Sequence, residues 1–92
     1  MTENDYRADA LAKGFGEPVA KSWSAGHSTD THTHDQSAYL LITEGTATLG
    51  VETAAGMVST NLGPGSTIEV PAGCRHFEQA GAAPVTFLAA LK

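Results

Sequence analysis

GHSTDTHTHDQSAYLLITEG, from Gly26 to Gly45, is answered further along the chain by GSTIEVPAGCRHFEQ, from Gly65 to Gln79. The first stretch carries His32 and His34. The second places His76 just after the turn Pro71-Ala72-Gly73, so three of the four histidines lie in two turn-flanked, strand-like segments. On a strand, successive side chains alternate faces, which puts His32 and His34 on one face with Cα atoms about 6.6 Å apart at ~3.3 Å per residue. Imidazoles so placed can converge on one divalent ion at ~2.0–2.1 Å. A third ligand must come from a neighbouring strand, and His76 is the remaining histidine in a comparable setting. His27 follows Gly26 outside the alternation and reads as a rim residue. The alternative reading of DTHTHD is a solvated loop.

Outward from these segments, the chain reads as short strands broken by turn residues. Val19, Lys21 and Trp23 alternate with Ala20, Ser22 and Ser24, a period of two that suits a strand. Ala38–Thr43 and Thr46–Val51 flank Glu44-Gly45, which predicts a hairpin. Met57–Leu62 ends at Gly63-Pro64-Gly65, Thr67–Val70 runs into the Pro71 turn, Arg75–Gln79 is a further strand, and Gly81–Pro84 turns the chain into Val85–Leu91. Glu52–Gly56 reads as a loop tip. Strands of about five residues with regular Gly/Pro punctuation predict an all-β sandwich or barrel. Residues 1–17 read as an N-terminal arm or short helix, because Glu3–Lys13 contains neither Gly nor Pro and stops at Gly14. Residues 18–92 form the barrel.

Composition narrows the functions. Ninety-two residues make one domain, and a chain of this size buries only roughly 60–65% of its unfolded surface. Together with Ala38–Thr43, which is apolar on both faces, this predicts a homodimer. Five basic residues against ten acidic ones, a net charge of −5, disfavour nucleic acid and anionic membrane surfaces as partners. The single cysteine, Cys74, cannot form an internal disulfide, no apolar run approaches a membrane span, and the N-terminus lacks the pattern of a signal peptide. The expected location is the cytoplasm.

The composite Gly26-x5-His32-x-His34-x3-Ala38-x6-Gly45, then Gly65-x5-Pro71-x-Gly73-x2-His76, resembles the two signature motifs of the cupin superfamily. It covers roughly Gly26 to Ala80. The resemblance implies a small cupin-type double-stranded β-helix, a jelly-roll barrel, holding a divalent metal ion (Zn, Ni, Fe or Mn) through His32, His34 and His76. Two positions depart from the pattern: Ala38 stands where the first motif usually has a glutamate ligand, and Ala80 where the second usually closes with asparagine. Three neutral imidazoles without that carboxylate leave the ion its full double charge, which favours small anionic ligands at its open positions. Resemblance to three-histidine cupin dioxygenases implies oxidative cleavage with Fe(II) as the leading chemistry, with isomerase or lyase chemistry close behind. Small cupins also serve as non-enzymatic ligand-sensing modules, with or without metal, and fold does not choose between these.

Neighbouring residues supply the remaining candidates. Gln36 continues the parity of His32 and His34 and is the candidate contact to substrate. Glu78 shares a face with His76 and is the candidate catalytic residue, as general base or as the acceptor that orients an imidazole. Arg75 faces the other way and suits a structural ion pair, while Cys74 reads as an inert buried thiol. No Gly-x-Ser-x-Gly nucleophile and no phosphate-binding glycine loop occurs.

Overall fold

The computed structural model describes all residues from Met1 to Lys92. One helix, α1 (Glu3–Ala12), precedes seven strands: β1 (Val19–Trp23), β2 (Ala38–Glu44), β3 (Ala47–Thr53), β4 (Gly56–Leu62), β5 (Thr67–Val70), β6 (His76–Ala80) and β7 (Val85–Leu91). They form two antiparallel sheets, ordered β1-β7-β2-β5 and β4-β3-β6. The strands predicted over Thr67–Val70 and Val85–Leu91 have those bounds in the structure.

The predicted hairpin at Glu44-Gly45 is not one. β2 pairs with β5 and β7, whereas β3 pairs with β4 and β6, so the short link carries the chain from one sheet to the other. Gly45 makes this crossing possible. Its φ is 81°, and a Cβ there would lie 2.5 Å from the carbonyl oxygen of Pro84, so only glycine fits against that backbone. The true hairpin is β3–β4, closed where Thr53 pairs with Gly56, within the stretch expected to be a loop tip.

The segment with His32 and His34 also differs from expectation. It is not a regular strand but an irregular chain lying along β6, with isolated bridges Ser28–Gln79 and His32–His76. Three residues lie between Ser28 and His32 but only two between His76 and Gln79, so one extra residue bulges out between the bridges. A Gly/Thr/Asp-rich stretch tolerates that interruption, and alternation alone does not reveal it.

Between the sheets lies the barrel core, with Leu40, Ile42, Leu49, Val85 and Phe87 among its buried side chains. A second cluster sits outside, where Tyr6 and Ala10 of α1 together with Phe15 cover Tyr39 and Leu41 of β2 and Leu88 and Ala90 of β7. The second apolar face of β2, expected to meet a partner subunit, is thus covered by the chain's own N-terminal segment. Helix α1 is capped by the Thr2 hydroxyl, which accepts from the Asp5 N–H, and it is fixed by polar contacts at its buried face. The Tyr6 hydroxyl donates to the Tyr39 carbonyl at 2.6 Å, and the Tyr39 hydroxyl donates to Asp9 at 2.6 Å. Lys13 closes the group by pairing with Asp9 and Glu69. Burial drives the Tyr6 hydroxyl pKa up to about 12. The hydrogen bond from Tyr39, and then that from Lys13, hold Asp9 below the usual carboxylate range.

No helix is long and apolar enough to cross a membrane.

Candidate metal centre

His32 and His76 face each other across one backbone pair. Each N–H donates to the other's carbonyl at 2.9 Å, and opposed residues on antiparallel chains project to the same side. Their rings lie 4.4 Å apart, centroid to centroid. His34, two residues on, is tied at its carbonyl by the Gly73 N–H at 2.9 Å, and its ring lies 4.8 Å from His32 and 5.1 Å from His76. One ligand atom from each of the three histidines lies within 4.8 Å of the others. Burial grades across the cluster: His76 is buried, His32 intermediate and His34 exposed, so the group opens to solvent on one side.

Backbone carbonyls set the tautomers. His32 Nδ1 lies 2.7 Å from the Asp30 carbonyl and His76 Nδ1 lies 3.0 Å from that of Cys74. A carbonyl can only accept, so each Nδ1 carries a proton, and in the neutral ring Nε2 is the atom whose lone pair is free for an ion. This donor set fits a divalent metal. A tetrahedral ion at ~2.0–2.1 Å from three nitrogens sets them about 3.4 Å apart, within reach of modest side-chain rotation. The orienting acceptors are therefore main-chain atoms and not Glu78. Sequence reasoning missed them because a peptide carbonyl leaves no mark in the residue pattern.

Beside the cluster, a cavity of about 450 Å³ opens into the barrel, lined by residues of both sheets. His34, His76, Gln36 and Glu78 line it, as do Ala38 and apolar residues of β2, β3, β5 and β7, while His32 does not. The predicted neighbourhood of Gln36, Ala38 and Glu78 is thus brought together. Ala38 faces this space, where a longer acidic side chain could approach the histidines.

Glu78 turns toward His27, with 3.7 Å between Oε1 and Nε2, too long for a hydrogen bond. His27 stacks on Trp23 at 5.6 Å with the rings 5° from parallel, and its Nε2 is buried without a hydrogen-bond partner. The rim histidine is thus half-buried. Arg75 makes its expected ion pair, with Glu52 at 3.6 Å. The Cys74 thiol is half-buried and donates to the Glu52 carbonyl at 3.2 Å.

No protein-family model and no curated protein matches the chain. Solved structures do. A variant of oxalate decarboxylase from Bacillus subtilis superposes with a TM-score of 0.72 at 21% identity over 82% of this chain. Oxalate oxidase in complex with the substrate analogue glycolate gives 0.69 at 17% identity over 78%. The cupin domain of Drosophila melanogaster CENP-C gives 0.70 at 14% identity over 79%. The chain spans 20%, 39% and 58% of those three structures, respectively. The two-sheet barrel is therefore the cupin fold. Within it, the three-histidine cluster could bind a metal ion.

Proposed function

We propose that this protein is a small metal-binding cupin that holds one divalent ion through His32, His34 and His76 and presents it to a small anionic organic molecule. The carrying observation is that the rings of His32 and His76 are pinned at Nδ1 by main-chain carbonyls, which leaves Nε2 of each as the ligand atom, and that His34 and His76 open onto a cavity. Three neutral ligands leave the ion's double charge uncancelled, and a carboxylate or enolate entering the cavity would supply the missing anion. The size of the cavity suits a small metabolite, at the low end of the usual range for ligand sites.

When bound, the ion would act as a Lewis acid toward a carboxylate or carbonyl and, if it is iron, would support dioxygenase-like oxidation. The protein's own groups have separable tasks in this reading. Gln36 offers an amide to the ligand, and the apolar walls of β2 and β7 exclude water. Glu78, beside His27 at the cavity edge, is the group available to accept a proton. That distant fold relatives include oxalate enzymes supports metal-assisted carboxylate chemistry. The CENP-C cupin domain shows the same fold in a protein solved bound to CAL1, which keeps a non-enzymatic binding module as the second reading.

The test is thermal melting of protein purified without an affinity tag, combined with elemental analysis. A metal bound only to the folded state adds about 2.7 kcal/mol at a hundredfold excess over Kd. Chelation should therefore lower the wild-type melting temperature, and His34→Ala should melt alike with and without chelator. If chelator changes nothing and added Zn, Ni, Fe or Mn raises nothing, the metal reading fails and a metal-free binding module replaces it.

The homodimer belongs to the same proposal, in a cytoplasmic protein. With the outer face of β2 covered, the exposed apolar residues left for a partner include Val19 on β1 and Met57 and Val58 on β4.

A further inference from the structure

Five basic side chains serve this molecule, and four are engaged. Arg7 pairs with Glu3 and Glu17, Lys13 with Asp9 and Glu69, Arg75 with Glu52, and Lys92 donates to the Lys13 carbonyl. Lys21 has no such partner, and it lines the cavity that His34 and His76 line. Its register explains why. Lys21 lies directly opposite Phe87 on β7, a core residue, so its side chain leaves β1 on the cavity side, where it stands exposed at the rim.

We propose that Lys21 is the second anchor of the ligand site, binding the far carboxylate of a small dicarboxylate whose near carboxylate meets the metal. This rests on the metal reading above and adds the ligand class to it. Two features carry it. The cavity's other charged linings are Asp35 and Glu78, so without metal its carboxylates outnumber its one lysine. A doubly charged ion reverses that balance, and the cavity becomes cationic at two separate points. Those points are well apart. On β7, Leu91 pairs with Ala38 and Phe87 with Lys21, so Lys21 sits four residues, about 13 Å at ~3.3 Å per residue, from the end of the strand where Lys92 pairs with Ser37 of the His34 segment. A lysine and an imidazole reaching inward shorten that gap, and the ligand fills what remains. Oxalate would place both carboxylates on the ion and leave Lys21 idle. A chain of four or five carbons would span both anchors.

An inward charge on an edge strand can also serve only to discourage strand pairing between molecules, and β1 is an edge. Calorimetric titration of Zn-loaded protein with acetate, oxalate, succinate and glutarate separates the two roles. Wild type should prefer succinate or glutarate to acetate by about tenfold, the scale of one charged hydrogen bond. Lys21→Met should erase that preference while leaving zinc, acetate and oxalate affinities within about twofold, and Lys21→Arg should keep much of it. Lys21→Met that binds succinate like wild type, or that only aggregates more readily, overturns the assignment while the metal site stands. Failure of wild type to take up zinc overturns both.

Discussion

Strand β2 has two apolar faces, and the protein finishes them in opposite ways. Leu40 and Ile42 point into a barrel that is left partly empty, with a cavity ringed by histidines, carboxylates and one lysine. Tyr39 and Leu41 point outward and are sealed under α1, where Tyr6 is fully buried and each tyrosine hydroxyl has an acceptor. One face leaves unfilled space, which the proposed ligand would enter; the other is closed and contributes stability. The difference shows that an apolar surface by itself does not say whether it waits for a ligand, a partner or its own terminus.

The largest expected effect separates the faces by stability. Tyr6→Ala should cost about 3–5 kcal/mol, a large share of a small domain's total, by opening a cavity under the helix and leaving the Tyr39 carbonyl without its side-chain donor. Urea unfolding should show this loss, with metal affinity of the folded fraction unchanged. His76→Ala should do the reverse, costing metal affinity more than the roughly 10–100-fold lost when an outer hydrogen-bond partner of a ligand is removed. If Tyr6→Ala abolishes metal binding while the barrel remains folded, the two faces are not independent.

Next in size is Ala38→Glu. The residue faces the cavity near the histidines, and a carboxylate there should tighten divalent metal binding while weakening anion binding to the bound ion, because one unit of its charge is cancelled. The variant should show a larger metal-dependent rise in melting temperature than wild type. An equal or smaller rise would mean that position 38 does not reach the ion.

A smaller effect is the pH dependence of the sealed face. Tyr6 holds its proton more tightly folded than unfolded, so its contribution is complete below about pH 10 and fades as pH rises toward about 12. Asp9 has the opposite sense: its contribution is present above the ordinary carboxylate pKa and is lost as pH falls through its lowered folded value. Alkaline titration followed by tyrosinate absorbance and helical circular dichroism should show α1 loosening before the barrel melts. Tyr6→Phe should remove the Tyr6 part of that alkaline dependence and leave the part due to Tyr39, whose hydroxyl pKa is also raised, by burial and by the bond to Asp9.

Much of this was legible in the residues. Gly and Pro punctuation located most of the strands, and the spacing of His32, His34 and His76 located the cluster, because both signals are local. What escaped was decided by pairing at a distance. Glu44-Gly45 has the composition of a hairpin turn, yet its neighbours found partners elsewhere, and only the closeness of Pro84 reveals why a glycine stands there. The THTH alternation suits a strand, but the bulge before His32 is fixed by the register with β6. The double apolarity of β2 was real, and its second cover was a segment of the same chain.

The smallest expected effect concerns the acceptors behind the imidazoles. Cys74→Ser should leave metal affinity within about twofold, since the His76 ring is held by the peptide oxygen of residue 74 and not by its sulfur. A tenfold loss would assign the thiol a part that the geometry does not.

This arrangement bears on how such a protein can change over generations. A support made of peptide oxygens is inherited with the path of the chain and survives replacement of the side chains at positions 30 and 74. The walls of the cavity can therefore be rewritten, one substitution at a time, to admit a different guest, while the imidazoles stay aimed at the same point.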